Sequence, residues 1–209
     1  IGCGGSMTVQ HLDLFSGIGG FALAARRVGW KTVGFCEIDP FCRRVLARRL
    51  DCDRWVSLPG SVDRGEEGGT AGLEELVELA PDWLVIENVY HTWRRWVPEL
   101  RRRLLERGYS SLPLRVSAAD VGAAHRRARC WLVANPNGEQ LRELSWWWSR
   151  EAREVAAELA ESWDSAPRRL GADDGLPSWV DRRRALGNAI VPAAAELIFR
   201  GIEAVSGRR

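Results

Sequence analysis

Two acidic residues and a glycine-rich turn are spaced as a nucleotide-type site would need them. Gly17, Gly19 and Ala22 follow the apolar run His11-Leu12-Asp13-Leu14-Phe15 in a G-x-G-x-x-A pattern. Small residues there let the backbone turn sharply, approach a ligand closely and pack a helix on a strand. A second apolar run, residues 32–36, ends at Glu37, which stands twenty residues after Gly17. An acidic side chain at that distance can accept both hydroxyl hydrogens of a ribose; taken alone, the same pattern also describes a glycine turn with a surface carboxylate. Glu87 closes the unbroken apolar run Trp83-Leu84-Val85-Ile86. A carboxylate at the carboxyl end of a buried strand faces the ligand crevice of an open α/β sheet.

The elements that must position these residues alternate. The apolar run from His11 reads as a strand, residues 21–28 as a helix stopping near Gly29, and residues 32–37 as a second strand. Asp39 is a natural N-cap with Pro40 at the first helical position, opening a helix to about Leu50. A short strand is expected from Trp55 to Leu58, a loop over residues 59–72 and a short amphipathic helix over 73–80. The run at 83–86 reads as a strand buried on both faces of a parallel sheet. Residues 97–107 read as a helix with Pro98 near its first turn, residues 111–116 and 130–134 as two strands, residues 151–163 as a helix, and residues 192–205 as a closing helix.

The 209 residues suffice for one well-buried domain. Residues 1–6 read as an appended remnant outside the fold, with Met7, the only methionine, as the expected start. No apolar run approaches the roughly 18 residues that cross a bilayer, and no signal peptide is visible, so no membrane partner and a cytoplasmic location are expected. Cys3, Cys36, Cys42, Cys52 and Cys130 lack C-x-x-C spacing, so neither a metal site nor a disulfide framework is indicated. The net charge is only +2, yet 29 of the 30 basic residues are arginine, clustered at 101–103, 126–129 and 182–184. The planar guanidinium fork suits phosphate and base edges; a high-GC genome that uses arginine wherever lysine would serve is the competing account.

Five stretches, in order, resemble the DNA cytosine-5 methyltransferases, enzymes that depend on S-adenosylmethionine (SAM). Asp13-Leu14-Phe15-Ser16-Gly17-Ile18-Gly19-Gly20 resembles their SAM-binding loop, and Glu37-Ile38-Asp39 their ribose-binding acid with the apolar neighbour that touches adenine. Glu87-Asn88-Val89 is similar to the family's Glu-Asn-Val, whose glutamate holds N3 of a flipped-out cytosine. His125-Arg126-Arg127-Ala128-Arg129 is similar to the Gln-x-Arg-x-Arg element whose last arginine meets the cytosine O2, with histidine in place of glutamine. Gly187-Asn188-Ala189-Ile190-Val191-Pro192 resembles the C-terminal motif that folds back on the SAM pocket. The resemblance implies a doubly wound, mostly parallel, Rossmann-like α/β fold, SAM as cofactor and DNA as partner. It implies Glu87, Arg127 and Arg129 as catalytic residues, and Asp13, Phe15, Gly17, Gly19, Gly20, Glu37, Ile38, Asn188 and Val191 as cofactor-binding residues. It divides the chain into a SAM-binding catalytic-type domain at 7–134, a vestigial recognition or helical insert at 135–183, and a segment at 184–209 that completes the SAM domain.

Two departures accompany it. The family's nucleophile is a cysteine in a Pro-Cys-Gln loop, and no cysteine here follows a proline. Either that strand and loop are deleted, or Leu58-Pro59-Gly60-Ser61 takes their place with glycine where the thiol should be; Cys52 is the nearest thiol in sequence. The recognition domain is also nearly absent. Covalent addition of a thiolate at C6 is what makes cytosine C5 nucleophilic. Three functions therefore stay open: a minimal cytosine-5 methyltransferase with a different nucleophile, or one whose missing loop and recognition domain come from a second polypeptide; a SAM- or DNA-binding module without catalysis, acting as a regulatory or structural subunit; and a methyltransferase for another nucleophile such as an exocyclic amine.

Overall fold

The computed structural model describes residues 8–50, 54–56, 78–161 and 188–207. The chain divides into two compact units, Ile1–Ser57 with Pro167–Phe199, and Leu58–Ala166 with Arg200–Arg209.

In the first unit β1 (Gln10–Leu14) and β2 (Lys31–Cys36) pair in parallel, with Asp13 opposite Phe35 and Leu14 opposite Cys36. Parallel neighbours need a crossover, and α1 (Gly20–Arg27) supplies it. Trp55 adds a single parallel bridge to Phe35, where Val56 N–H donates to the Phe35 carbonyl at 2.8 Å. The strand expected at 55–58 is thus present at its first residue, and its last two lie outside the described residues. α2 (Pro40–Arg49) begins as its sequence dictates, the Asp39 carboxylate accepting from Phe41 N–H at 2.7 Å and Cys42 N–H at 3.1 Å. Ala22, Phe35 and Leu46 form one small core with Leu50, and Phe41, Cys42 and Val45 another with Ile18. The closing helix α6 (Pro192–Ser206) contributes Phe199, whose ring stacks on Trp30 at 4.5 Å and meets the edge of His11 at 5.8 Å. Burial lowers the His11 pKa to about 4, so the imidazole in this aromatic cluster is neutral at physiological pH.

The second unit holds β3 (Leu84–Val89), a 3-10 turn (Tyr90–Thr92), α3 (Trp93–Glu106), β4 (Ser110–Ser117), a second 3-10 turn (Ala118–Val121) and β5 (Ala128–Asn135). Its sheet runs β3-β5-β4, and both pairings are antiparallel. This corrects the expectation of a parallel setting for the run at 83–86. An unbroken apolar run reports burial on two faces and carries no information about strand direction; β5 returns from β4 against the direction of β3. Parallel pairing is confined, among the described residues, to the first unit. One face of the sheet is covered by the stripe Val97, Leu100 and Leu104 of α3, packed on Leu84, Cys130, Leu132 and Ala134. α3 starts four residues earlier than its periodicity implies, so Pro98 falls in the second turn rather than the first.

Beyond β5 the chain forms α4 (Gly138–Arg150), capped by Asn137, and then α5 (Ala152–Glu161). The sequence reading anticipated only the second of these. Trp146-Trp147-Trp148 lies inside α4, with Trp147 only 4% exposed and Trp146 69% exposed. Trp147 packs against Gly201 of α6, where an added Cβ would stand 2.7 Å from its ring. Gly122, at φ 90, ends the second 3-10 turn in contact with Ala160 of α5, and a Cβ there would lie 2.6 Å from the Ala160 Cα. Among the described residues no helix is long and apolar enough to cross a membrane.

Candidate active site

In the first unit the end of β1 turns through three residues with positive φ: Phe15 (54°), Gly17 (54°) and Gly19 (88°). Phe15 holds this left-handed conformation against the clash of its Cβ, a strain that clusters at ligand sites, and its ring is 60% exposed. Ser16 ties the turn down: its N–H donates to the Cys36 carbonyl at 3.0 Å, and its hydroxyl lies 2.7 Å from the Asp13 carbonyl and 3.2 Å from that of Cys36. Glu37 closes the arrangement, Oε2 accepting from Gly17 N–H at 2.6 Å and Oε1 from Asp39 N–H at 2.7 Å. Each carboxylate oxygen has two lone pairs, so each can accept once more. A Cβ on Gly17 would meet nothing within 4 Å. Ile38 beside it is 69% exposed.

Asp13 lies beneath this turn, 1% exposed. Its Oδ2 accepts from Ala22 N–H at 3.1 Å, and its Oδ1 has no hydrogen-bond partner among the described residues. Burial, with a smaller contribution from the negative charge of Glu37, raises its pKa to about 8. Gly20 starts α1 against the C-terminal segment, where an added Cβ would come 2.8 Å from the Ile190 carbonyl oxygen. The segment holding Asn188, which is exposed, and Val191, which is half-buried, therefore borders the glycine turn.

In the second unit the antiparallel register sets Val89 opposite Arg129 and Glu87 opposite Trp131, so Glu87 and Arg129 share a sheet face. Arg129 Nε reaches Glu87 Oε1 at 2.7 Å, with 17% and 14% of the two side chains exposed. Burial raises the Glu87 carboxyl above the usual range, and the charges of Arg129 and then Arg127 offset part of that rise. Arg127 enters β5 at φ 29, its guanidinium lowered by burial and by Arg129. The turn before it is fixed by Ser117 and Asp120, each side chain accepting the other's backbone N–H, and by Ala118 N–H donating to the Arg126 carbonyl at 3.0 Å. His125 and Arg126 are exposed on that turn.

The expected cofactor residues Asp13, Phe15, Gly17, Gly19, Gly20, Glu37 and Ile38 are gathered at one strand end, and Glu87, Arg127 and Arg129 at another. Sequence reasoning missed Ser16 as the pin of the turn; a hydroxyl directly after a strand and before a glycine was the available signal. Cys36, Cys42 and Cys130 are buried. Cys130 lies opposite Asn88 under α3, with its thiol raised by burial and by Glu87, which disfavours a reactive thiolate. Cys3, Cys52, residues 58–61, the arginines at 182–184 and Gly187 lie outside the described residues.

No protein-family profile matches the chain. It is similar to the Type II methyltransferase M2.BsuMI of Bacillus subtilis strain 168, 29% identical over 163 residues that cover 61% of this chain and 42% of that protein. Its fold is similar to that of a crystal structure described as a DNA modification methyltransferase encoded within an E. coli prophage, with a TM-score of 0.51 and 22% identity over 64% of this chain and 48% of the other. DNMT2 of Spodoptera frugiperda matches at a TM-score of 0.49 with 17% identity, covering 61% of this chain and 50% of that one. The chain thus spans about half the length of the relatives it matches. The sequence similarity is thus to a methyltransferase, over part of each chain.

Proposed function

We propose that the chain carries out SAM-dependent methyl transfer to C5 of cytosine in DNA. The observation that carries this reading is the Glu87–Arg129 pair: a carboxylate with a raised pKa, held at 2.7 Å by a guanidinium on the same sheet face. A carboxyl whose pKa is raised is the better proton donor to a ring nitrogen. Glu87 would donate to cytosine N3 as the ring gains electron density, Arg129 would fix the Glu87 rotamer and meet the base O2, and Arg127 would add positive charge beside both.

The glycine turn fits SAM. Open space over the Gly17 Cα, which a Cβ would fill, admits a ligand close to the backbone. The spare lone pairs of Glu37 match two ribose hydroxyls, and the exposed Phe15 and Ile38 side chains offer apolar surface for adenine. Asp13, Gly19 and Gly20 would hold the turn in shape, with Asn188 and Val191 at its border. When bound, SAM supplies an electrophilic methyl group. Relatives described as a Type II methyltransferase and a DNA modification methyltransferase support DNA as the acceptor.

Incubation of the full chain with DNA and methyl-labelled SAM, followed by mass spectrometry of the nucleosides, tests the proposal. 5-Methylcytosine is the expected product. N4-methylcytosine or N6-methyladenine would overturn the cytosine-5 reading, and retained SAM and DNA binding with no product would leave a binding module.

A further inference from the structure

The second unit carries an aromatic and cationic cluster that the methyl-transfer reading does not use. It begins one residue after Glu87-Asn88-Val89. Tyr90, 37% exposed, stacks on Trp93 with centroids 6.4 Å apart and planes 22° apart. Arg115, exposed on the edge strand β4, places its guanidinium 5.3 Å from the Tyr90 ring, and Arg94 lies 5.8 Å from the Trp93 ring. Arg95 is exposed on the same turn of α3.

Three other arginines of this unit pair with carboxylates. Arg102 pairs with Glu99 at 2.7 Å and with Glu106, Arg200 with Glu158 at 3.3 Å, and Arg129 with Glu87 at 2.7 Å. Arg94, Arg95 and Arg115 have no carboxylate partner among the described residues. Uncompensated guanidiniums over stacked aromatic faces match a ligand that is itself a row of flat rings on a polyanionic backbone. Base-on-aromatic stacking with arginine on phosphate is how single nucleic-acid strands are held without sequence readout.

We propose that Tyr90, Trp93, Arg94 and Arg115 form a platform for the DNA strand next to the target cytosine, Tyr90 stacking on a neighbouring base and the arginines contacting its phosphates. This rests on the DNA substrate proposed above.

Fluorescence anisotropy of the full chain with a short labelled DNA, across a salt series, tests the platform. Tyr90→Ala should weaken binding roughly 5- to 150-fold, the range for loss of one stacked base, while Tyr90→Phe keeps the wild-type affinity. Arg94→Gln with Arg115→Gln should lower the slope of log affinity against log salt by about one per arginine. Calorimetric SAM binding should be unchanged in all three variants, which reports on folding. Wild-type affinity in Tyr90→Ala, or an unchanged salt slope in the arginine pair, overturns the platform. A wild-type chain that binds no DNA sinks the DNA reading and the platform with it. A chain that binds DNA through Tyr90 but transfers no methyl group sinks the methyltransferase reading alone.

Discussion

Glu37 Oε2 accepts the Gly17 backbone N–H at 2.6 Å, so the acid at the end of β2 holds the turn at the end of β1 before any ligand arrives. One side chain thereby sets the shape of the glycine turn and presents acceptors at its rim. Glu37→Ala removes both roles, each a charge-assisted hydrogen bond worth about 1.5–3 kcal/mol. SAM affinity by calorimetry should fall at least tenfold. Glu37→Gln, which can still accept from Gly17, should fall less than the alanine variant; equal losses would show that the turn restraint contributes nothing.

Asp13 gives a pH signature. Its folded pKa of about 8 stands above the ordinary 3.8, so the native state holds a proton that the unfolded chain has released. Between about pH 4 and 8 the unfolded state therefore binds fewer protons, and stability falls as pH rises, by up to ~1.4 kcal/mol per unit for this group. Asp13→Asn keeps an acceptor for Ala22 N–H and abolishes the titration. Denaturant midpoints across that range should decline more steeply for the wild type than for the variant, with the gap widest near pH 8.

Gly20 tests the approach of the C-terminal segment. In Gly20→Ala the new Cβ would stand 2.8 Å from the Ile190 carbonyl oxygen, a backbone atom that cannot swing aside. Overpacking of this kind costs about 1–3 kcal/mol, so the thermal midpoint should drop. Gly17→Ala meets no atom within 4 Å and is strained by its φ of 54° alone. Its stability loss should be the smaller, while its loss of SAM affinity should be the larger if the ligand lies over this turn.

The spacing of Gly17 and Glu37 was legible because both lie at ends of adjacent parallel strands, where chain separation fixes spatial proximity. The Asp39 cap was legible for a local reason, its side chain bonding N–H groups two and three residues on. The Glu87–Arg129 pair was not legible from either residue, since it depends on the antiparallel register of β3 and β5, and only the resemblance brought the two together. α4 escaped because three consecutive tryptophans point to three faces of a helix and blur its 3.6-residue period, although Trp147 alone is the core residue.

The last prediction concerns the thiol. Cytosine C5 needs a nucleophile at C6, and the described cysteines are buried, with Cys130 raised rather than lowered in pKa and packed under α3, across the sheet from Glu87. DNA containing 5-fluorocytosine should therefore bind in the presence of SAM without forming an adduct through Cys36, Cys42 or Cys130, and serine at each of these positions should leave the outcome unchanged. An adduct that resists denaturation in the wild type and disappears in Cys52→Ser would assign the nucleophile to Cys52. An adduct lost in Cys130→Ser would contradict the buried setting described for that thiol. Glu87 can be separated from the nucleophile by its pH dependence. In the proposed mechanism its protonated form is the active one, so turnover should decline on the alkaline side as the carboxyl ionises. Glu87→Gln should lower the rate about 10²- to 10⁴-fold and remove that alkaline decline, while DNA binding by anisotropy stays within a few-fold of wild type. A Glu87→Gln variant that keeps the wild-type pH profile would place the proton donor elsewhere.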